Sequence, residues 1–274
     1  MTFTATTAVL LVVLGFGVGA FGTVVGAGGG FILTPILLLL YPHDSPKTLT
    51  AISLMVVFFN AASGTAAYAR QRRTDFRSGL VFAVATIPGA IGGALLVAYV
   101  TRAVFDPILG AVLAVLAAWL IFGTEREAQP HPSRHTVLRE LVDARGERYR
   151  YDVPLARGAL YSLGVGFFSS FLGIGGGIIH VPLLVRGLGF PTHIATATSH
   201  FVLAIMAGTG TITHVLAGSF QHGHGYRRAA ALSIGVVAGA QLGAHVSLRL
   251  SGRAIQWLLA VALAVLAVRL LVNA

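Results

Sequence analysis

Two runs of three consecutive glycines are the residues of this sequence best placed to do chemistry. They lie in GAGGGF at 26–31 and in GIGGGI at 173–178, and each precedes a short apolar segment. A helix that begins just after such a run presents unpaired backbone N–H groups and the positive end of its dipole, with no side chain blocking approach. The pattern predicts an anion-binding position at each helix start. The residues concerned are Gly28, Gly29, Gly30, Gly175, Gly176 and Gly177.

Close helix packing is the competing explanation for these glycines, because small residues let membrane helices approach one another. Gly15, Gly17, Gly19 and Gly22 fit that explanation. Packing alone, however, calls for a small residue at about every fourth position rather than three in a row. For the two triplets we therefore expect a hinge or a binding function.

Hydroxyls, an amide and histidines are the other polar groups within apolar segments. Thr34 follows the first glycine run, and His180 stands one turn past the second, where its ring is expected to face the same cavity. An imidazole there would couple anion binding to protonation. For any single Ser or Thr, the alternative is a hydrogen bond to its own helix backbone. The remaining candidate substrate-binding residues are Asn60, Ser63, Ser199 and His200.

The carboxylates favour an anion over a cation as the ligand. All nine lie in connections, in the central hydrophilic stretch or at a segment end such as Asp106. Sodium, metal-ion and proton pathways normally use carboxylates within the membrane. The cluster HGHG at 222–225 has a loop-like spacing with no carboxylate nearby, and cysteine is absent, which excludes thiolate chemistry. No metal site and no cofactor are predicted.

The elements that position these residues must be membrane helices. Of the 274 residues 55% are hydrophobic and only 10% are charged, against roughly 25% charged in soluble domains. The apolar blocks have the length of about 17 to 25 residues that a bilayer-crossing helix needs. The net charge of +10 comes from basic residues between these blocks, where they report orientation rather than nucleic-acid binding. The N-terminus lacks a basic n-region and is interpreted as a first helix.

Ten apolar segments are predicted, in two similar sets of five. The second and the seventh are too short to span the roughly 20 residues of a full crossing, so we expect half-helices that line a polar cavity or are buried in protein. The segments are 6–25, 30–41, 48–69, 77–100 and 104–122, then 157–172, 177–188, 194–217, 227–248 and 253–272.

The sequence thus divides into a first transmembrane repeat (1–122), a hydrophilic cytoplasmic linker (123–156) and a second transmembrane repeat (157–274). Within the linker, a short amphipathic helix is expected around 135–150. The fold class is all-α, an integral polytopic membrane protein of two repeats with four to five helical segments each. Broken or half helices are expected at the glycine hinges.

The duplication extends to individual residues. The glycines and the proline of the first hinge align without a gap on those of the second, and GAIGG at 89–93 matches GAQLG at 239–243. Arginines cluster in the connection after the third segment and in the linker, so both are expected to be cytoplasmic. The second half would then be inverted, with the arginines of HGHGYRR at 222–228 as an exception. A parallel repeat is the alternative.

Several of these motifs together resemble the TauE/SafE family of membrane permeases. The resemblance rests on GAGGGFILTPIL at 26–37, FLGIGGGIIHVPLL at 171–184, the starts TAISL and TATSH of the next segments, and the central linker. It covers essentially the whole chain. It implies movement of small sulfur-containing anions, such as sulfite, sulfoacetate or other organosulfonates, across the bacterial inner membrane. These compact oxyanions suit a site built from neutral donors.

The sequence therefore predicts a secondary transporter that works by alternating access around a midplane anion site, with export favoured. An anion channel and a permease for another small anion, such as a carboxylate, are the alternatives. An intramembrane enzyme is disfavoured, because Ser199 and His200 are helix neighbours that point about 100° apart. The expected partners are a small anionic substrate and the lipid bilayer, without nucleic acid. A homodimer is left open.

Overall fold

The computed structural model describes residues 4–122, 136–220 and 224–273, and this part of the chain is mostly helical. A 3₁₀ turn at Val97–Tyr99 follows α4, and a π-helical turn at Leu183–Gly187 follows α7. The helices are α1 (Ala5–Val24), α2 (Gly30–Leu40), α3 (Pro46–Arg70), α4 (Phe76–Leu96), α5 (Arg102–Phe122), α6 (Leu155–Leu172), α7 (Gly177–Pro182), α8 (Thr192–Leu216), α9 (Gly225–Ser247) and α10 (Gly252–Asn273).

Eight of the helices in the described ranges are long and apolar enough to cross a membrane. The other two, α2 and α7 with its π-helical turn, are the short segments predicted after the glycine runs. Large apolar side chains such as Leu10, Val115 and Val265 remain more than 60% exposed along the long helices, as lipid-facing positions require. The predicted all-α, polytopic membrane fold is confirmed.

Glycines allow two pairs of helices to pack at backbone contact. On α9, a Cβ at Gly239 would run into the carbonyl oxygen of Phe16 on α1. On α4, a Cβ at Gly89 would meet the carbonyl oxygen of Leu163 on α6 in the same way. Gly89 and Gly239 occupy aligned positions in the proposed internal repeat. The duplication stays a prediction, and these equivalent crossings support it.

The helix ends lie on two faces of the molecule. Lys47, at the start of α3, donates to the carbonyl of Ala217 just past α8, whereas Gln71, just past α3, donates to Ala244 near the end of α9. Helices α3 and α8 are therefore antiparallel. The face with Gln71 also carries the segment before α6, and we call it the hairpin face. The other, with Lys47, is the opposite face.

The segment around 135–150 is a β-hairpin, so the predicted amphipathic helix is wrong. Strands β1 (Val137–Val142) and β2 (Arg148–Val153) pair antiparallel, with Val137 opposite Val153. Strand β2 alternates polar and apolar residues with a period of two and buries Tyr151 and Val153, which suits a sheet with one packed side. Asp143 and Gly146, with φ at 85°, form the turn. The helical interpretation overlooked this turn chemistry.

The hairpin is docked on its face by a buried ion pair. Arg73, in the connection before α4, lies 3.2 Å from the Asp143 carboxylate, and both side chains are at most 5% exposed. Burial raises the pKa of Asp143, but hydrogen bonds from the backbone N–H groups of Arg145 and Glu147 and from Arg73 outweigh it and hold the pKa below its usual value. At neutral pH the hairpin is thus held in place by a charged pair.

Candidate functional site

The two glycine runs form tight reversals between a long helix and a short one. At the first, Gly26, Gly28 and Gly29 have φ between 72° and 79°. At the second, Gly173 and Gly175 have φ of 66° and 65°. Only glycine adopts this left-handed backbone without strain. The chain therefore turns back at both places, and α2 and α7 begin at Gly30 and Gly177.

The two reversals touch each other. A Cβ on Gly30 would lie 2.7 Å from the carbonyl carbon of Ile174, within the second glycine run. A Cβ on Gly177 would lie 2.5 Å from Cα of Ala27, within the first. Each short helix thus starts against the backbone of the other half's reversal. We call this buried contact the hinge crossing.

Apolar side chains cover the hinge crossing. A Cβ on Gly28 would lie 2.6 Å from Cδ2 of Leu203, and one on Gly175 would lie 2.7 Å from Cγ1 of Val57. These glycines therefore serve close packing as well as chain reversal. Within the described residues, the N–H groups of Gly29, Gly30 and Gly175 make no hydrogen bond. Unpaired donors thus lie at the crossing, beneath the side chains of Val57 and Leu203.

Hydroxyl groups hold the carbonyls of both reversals. Thr34 and Ser53 donate to the carbonyl oxygen of Gly173 at 2.7 Å and 2.6 Å. Ser199 donates to the carbonyl oxygen of Gly26 at 3.3 Å. The structure therefore brings the candidate residues Thr34 and Ser199 to the crossing. Their hydroxyl hydrogens, however, are already used by the backbone.

A polar cluster lies beside the first reversal, around the end of α1. The Thr23 hydroxyl donates to Oδ1 of Asn60 at 3.1 Å and lies 3.4 Å from Nε2 of His200. The Tyr68 hydroxyl donates to the carbonyl oxygen of Thr23 at 2.7 Å. All four residues are fully or almost fully buried. The candidates Asn60 and His200, from α3 and α8, thus meet through Thr23.

His180 lies past the second reversal and faces α6 and α4. Its Nε2 is 3.3 Å from the hydroxyl of Ser162, and its ring packs edge-on against Phe82 with centroids 6.0 Å apart. Nδ1 is buried without a partner among the described residues. Its ring contacts Ser162 and Phe82 rather than the polar cluster. The expectation that the ring faces a cavity at the glycine hinge stays a prediction.

Ser63 and Gly176 are the remaining candidates, and only Ser63 lies away from the hinge crossing. Ser63 is partly exposed on the contact between α3 and α9, where it donates to the carbonyl of Val237 and accepts from Gln241. The structure does not bring it to the hinge crossing. Gly176 lies at the crossing, and its N–H donates to the hydroxyl oxygen of Ser169. The HGHG stretch is described only in part, since His222 lies outside the described residues.

Thr23, Ser53 and Tyr68 were not among the candidate residues predicted from the sequence. Ser53 aligns with Ser199, a match that the internal repeat already contained. Thr23 and Tyr68 carried no signal of their own, because a hydroxyl near a helix end is common and most often satisfies local backbone. Their role depends on the packing of α1 against α3 and α8, which only the structure provides.

Comparison with known proteins places this arrangement in a family. The profile of the family described as "Sulfite exporter TauE/SafE" matches residues 11–270. The chain belongs to the TauE/SafE family. The match includes both reversals, the hinge crossing and the intervening hairpin, so all of these lie within the TauE/SafE region.

Curated relatives carry transporter names. The probable membrane transporter protein YunE of Bacillus subtilis is 29% identical over 96% of this chain and 97% of its own length. A probable membrane transporter protein of Methanocaldococcus jannaschii is 25% identical over 94% and 92%. No solved structure matches the chain. The protein is therefore a multi-pass membrane transporter of the TauE/SafE family and not an enzyme.

Proposed function

We propose that this transporter moves small sulfur-containing oxyanions, such as sulfite, sulfoacetate or other organosulfonates, across the bacterial inner membrane, and that it exports them. The family's description names sulfite export. The observation that carries the proposal is the hinge crossing, where the backbone N–H groups of Gly29, Gly30 and Gly175 are buried and have no hydrogen-bond partner among the described residues. Such donors at a helix start suit an oxyanion.

The charges within the described helices favour an anion as well. Asp106, in the first turns of α5, is paired with Arg102 in the same helix, and Asp75 caps the start of α4. No carboxylate lies midway along a described helix. A buried cation would lack the oxygen ligands that such pathways normally use. The neutral N–H donors of the glycines and of Asn60 fit a substrate that accepts hydrogen bonds.

Alternating access is supported by how the helix ends are arranged. Helices α3 and α8 pack antiparallel, with Gly64 against His200 and Gly210 against Leu54, as inverted repeats would require. The hairpin face carries the arginines of the connection after α3 and the described arginines of the linker, and this supports a cytoplasmic location for it. On the opposite face, Arg228 is paired with Asp44 and lies over the ring of Tyr41.

Access to the crossing requires Val57 and Leu203 to move apart. Both side chains are fully buried against the glycines, and they come from α3 and α8, one from each half. A rocking of the two halves would separate them and expose the donors to one face at a time. The fully buried crossing corresponds to an occluded state in this proposal.

Thermal stabilisation of the purified protein tests the substrate class. Sulfite, methanesulfonate, sulfoacetate, thiosulfate, sulfate and acetate would be added separately, at concentrations up to the millimolar range. A ligand at about a hundred times its Kd stabilises the folded state by about 2.7 kcal/mol, which a melting curve resolves. We expect sulfur oxyanions to raise the melting temperature. Stabilisation by acetate alone would contradict the sulfur assignment and favour a carboxylate permease.

A further inference from the structure

Asn60 presents an unpaired donor in the interior of the protein. Its side chain is 0% exposed, and Nδ2 has no hydrogen-bond partner among the described residues. A buried amide N–H₂ without a partner destabilises the folded state, so such a group calls for a functional explanation. On α3, Asn60 lies one turn beyond Val57, the residue that covers the hinge crossing. The free donor is therefore next to the proposed substrate position.

Thr23 fixes the direction of this donor. Its hydroxyl donates to Oδ1 of Asn60 at 3.1 Å, so the amide cannot rotate without losing that bond. Because Oδ1 is held, Nδ2 must point away from Thr23. A threonine at the end of α1 thus sets the orientation of an amide on α3.

His200 and Tyr68 hold Thr23 in turn. Because the hydroxyl hydrogen of Thr23 goes to Asn60, the contact of 3.4 Å between Thr23 Oγ1 and His200 Nε2 is a hydrogen bond when Nε2 carries the ring hydrogen and donates to the Thr23 oxygen. Tyr68 donates to the carbonyl oxygen of Thr23 and packs edge-on against His200 at 5.4 Å. Gly64 leaves space for this ring, since a Cβ there would be 2.5 Å from Cδ2 of His200.

The second half has no equivalent cluster. The positions aligned with Thr23, Asn60 and Tyr68 are Ser170, Met206 and His214. Ser170 is buried with its hydroxyl unpaired and lies against Gly210, and Met206 offers no N–H donor. An oriented amide is therefore present on one side of the crossing only.

The cluster is neutral. No Lys or Arg side chain in the described residues makes a hydrogen bond or ion pair with Thr23, Asn60 or His200. The cost of burying an ion rises steeply with its charge unless an opposite charge compensates it. A neutral amide donor can therefore hold a singly charged oxyanion group more easily than a doubly charged one.

We propose that Asn60 is the residue that selects a singly charged sulfur oxyanion group, sulfonate or hydrogen sulfite, and that Thr23 is the positioning residue that aims its amide at the substrate. The inference rests on the proposed function. It adds the charge class of the substrate and the residues that select for that charge. His200 and Tyr68 support Thr23 and do not touch the substrate. The selective contact lies beside the first reversal.

Methanesulfonate and sulfate provide the test, because they are similar in size and differ in charge. Binding would be measured by the thermal shift of the wild type and of Asn60→Leu, Thr23→Val and Thr23→Ser. We expect the wild type to bind methanesulfonate at least about tenfold more tightly than sulfate. Asn60→Leu and Thr23→Val should each weaken methanesulfonate binding by about tenfold to a hundredfold, and Thr23→Ser, which keeps the hydroxyl, should restore it.

Ser170→Ala and Ser63→Ala are the matched controls, the first at the aligned position of the second half and the second on the contact with α9. Both should leave the preference unchanged. Equal or tighter binding of sulfate by the wild type, or unchanged binding in Asn60→Leu, would overturn the inference while leaving the proposed function intact. If the wild type binds no sulfur oxyanion at all, both fail. A melting curve without ligand shows that each variant is folded.

Discussion

The two glycine reversals make equivalent backbone contacts, but the side chains around them differ. Gly30 packs on Ile174 as Gly177 packs on Ala27, and a serine donates to the carbonyl of the opposite run in both cases, Ser53 on one side and Ser199 on the other. The shared contacts build the crossing and would be needed in any member of a duplicated fold. The side chains around them are what can distinguish a substrate.

Three aligned pairs illustrate the differences. Thr34 adds a second hydroxyl to the carbonyl of Gly173, whereas Val181 at the aligned position adds none. His180 aligns with Leu33. The amide of Asn60 aligns with the thioether of Met206. Each half thus contributes polar groups that the other lacks. A substrate at the crossing would therefore contact different side chains on its two sides.

The largest effect is expected where the reversals touch. Gly177→Val would drive a side chain into the backbone of Gly26 and Ala27, and neither backbone can yield without moving a helix. We expect destabilisation of about 3 kcal/mol or more and complete loss of anion flux. Melting curves in detergent and flux into liposomes would measure both.

Gly17→Ala and Gly164→Ala are the controls for this change. They occupy aligned positions on α1 and α6, and a Cβ at either would meet nothing within 4 Å. Both variants should melt and transport like the wild type. A Gly177→Val protein with normal flux would show that the reversals need not touch.

The hairpin face should be the more acid-sensitive of the two faces. Asp143→Asn leaves the buried Arg73 without its partner, which we expect to cost about 3–5 kcal/mol. In the wild type, the folded-state pKa of Asp143 is lowered, so its contribution is complete above the ordinary carboxyl pKa of about 4 and is lost as the pH falls through the folded value.

Hydrogen exchange of β1 and β2 between pH 7 and pH 3 would show this loss as increased exchange. In Asp143→Asn the exchange of the strands should already be high at pH 7, and the part of the acid effect that comes from this pair should be absent. Equal protection of the strands in both proteins would mean that the ion pair does not dock the hairpin.

A smaller effect should separate the two serines. Ser199→Ala removes the hydroxyl that binds the carbonyl of Gly26, and we expect a cost of about 1–3 kcal/mol. Ser53→Ala should cost less than about 1 kcal/mol, because Thr34 still donates to Gly173. The double variant Ser53→Ala with Thr34→Val should then match Ser199→Ala. Chemical denaturation in detergent would compare the free energies of unfolding of these variants. Equal losses for the two single variants would show that the carbonyls of Gly26 and Gly173 depend equally on their serines.

The smallest change in stability is expected for His180→Leu, which copies the residue aligned with it. The change removes a buried, unpaired nitrogen, and Ser162 keeps its bond to the carbonyl of Gly158. Stability should stay within about 1 kcal/mol. If His180 serves the substrate, flux should nevertheless fall about tenfold or more. Unchanged flux in liposomes would show that the side chain of His180 makes no contribution to transport.

Much of this fold is predictable because its signals are local. Apolar length and the glycine runs mark the helix bounds to within a few residues, so α2 and α7 appear in the sequence as short segments. The hairpin was missed because 135–150 contains both a helical and a strand pattern, and the deciding feature is the turn at Asp143 and Gly146.

The candidate site is only partly predictable. Residue type and position suggest Ser199, Thr34, Asn60 and the glycines as candidates. The sequence does not show that the hydroxyls of Thr34 and Ser199 donate to backbone carbonyls. Nor does it show that Thr23 joins Asn60 to His200, because that depends on three helices packed from distant parts of the chain.

The central claim is that the chain carries sulfur oxyanions through an occluded crossing by alternating access. Counterflow of radiolabelled sulfite in proteoliposomes tests it most directly. Liposomes loaded with unlabelled sulfite should accumulate the label transiently and saturably, and a Gly177→Val protein that still inserts should not. Flux that rises in proportion to the gradient, with neither saturation nor counterflow, would identify a channel and contradict the account.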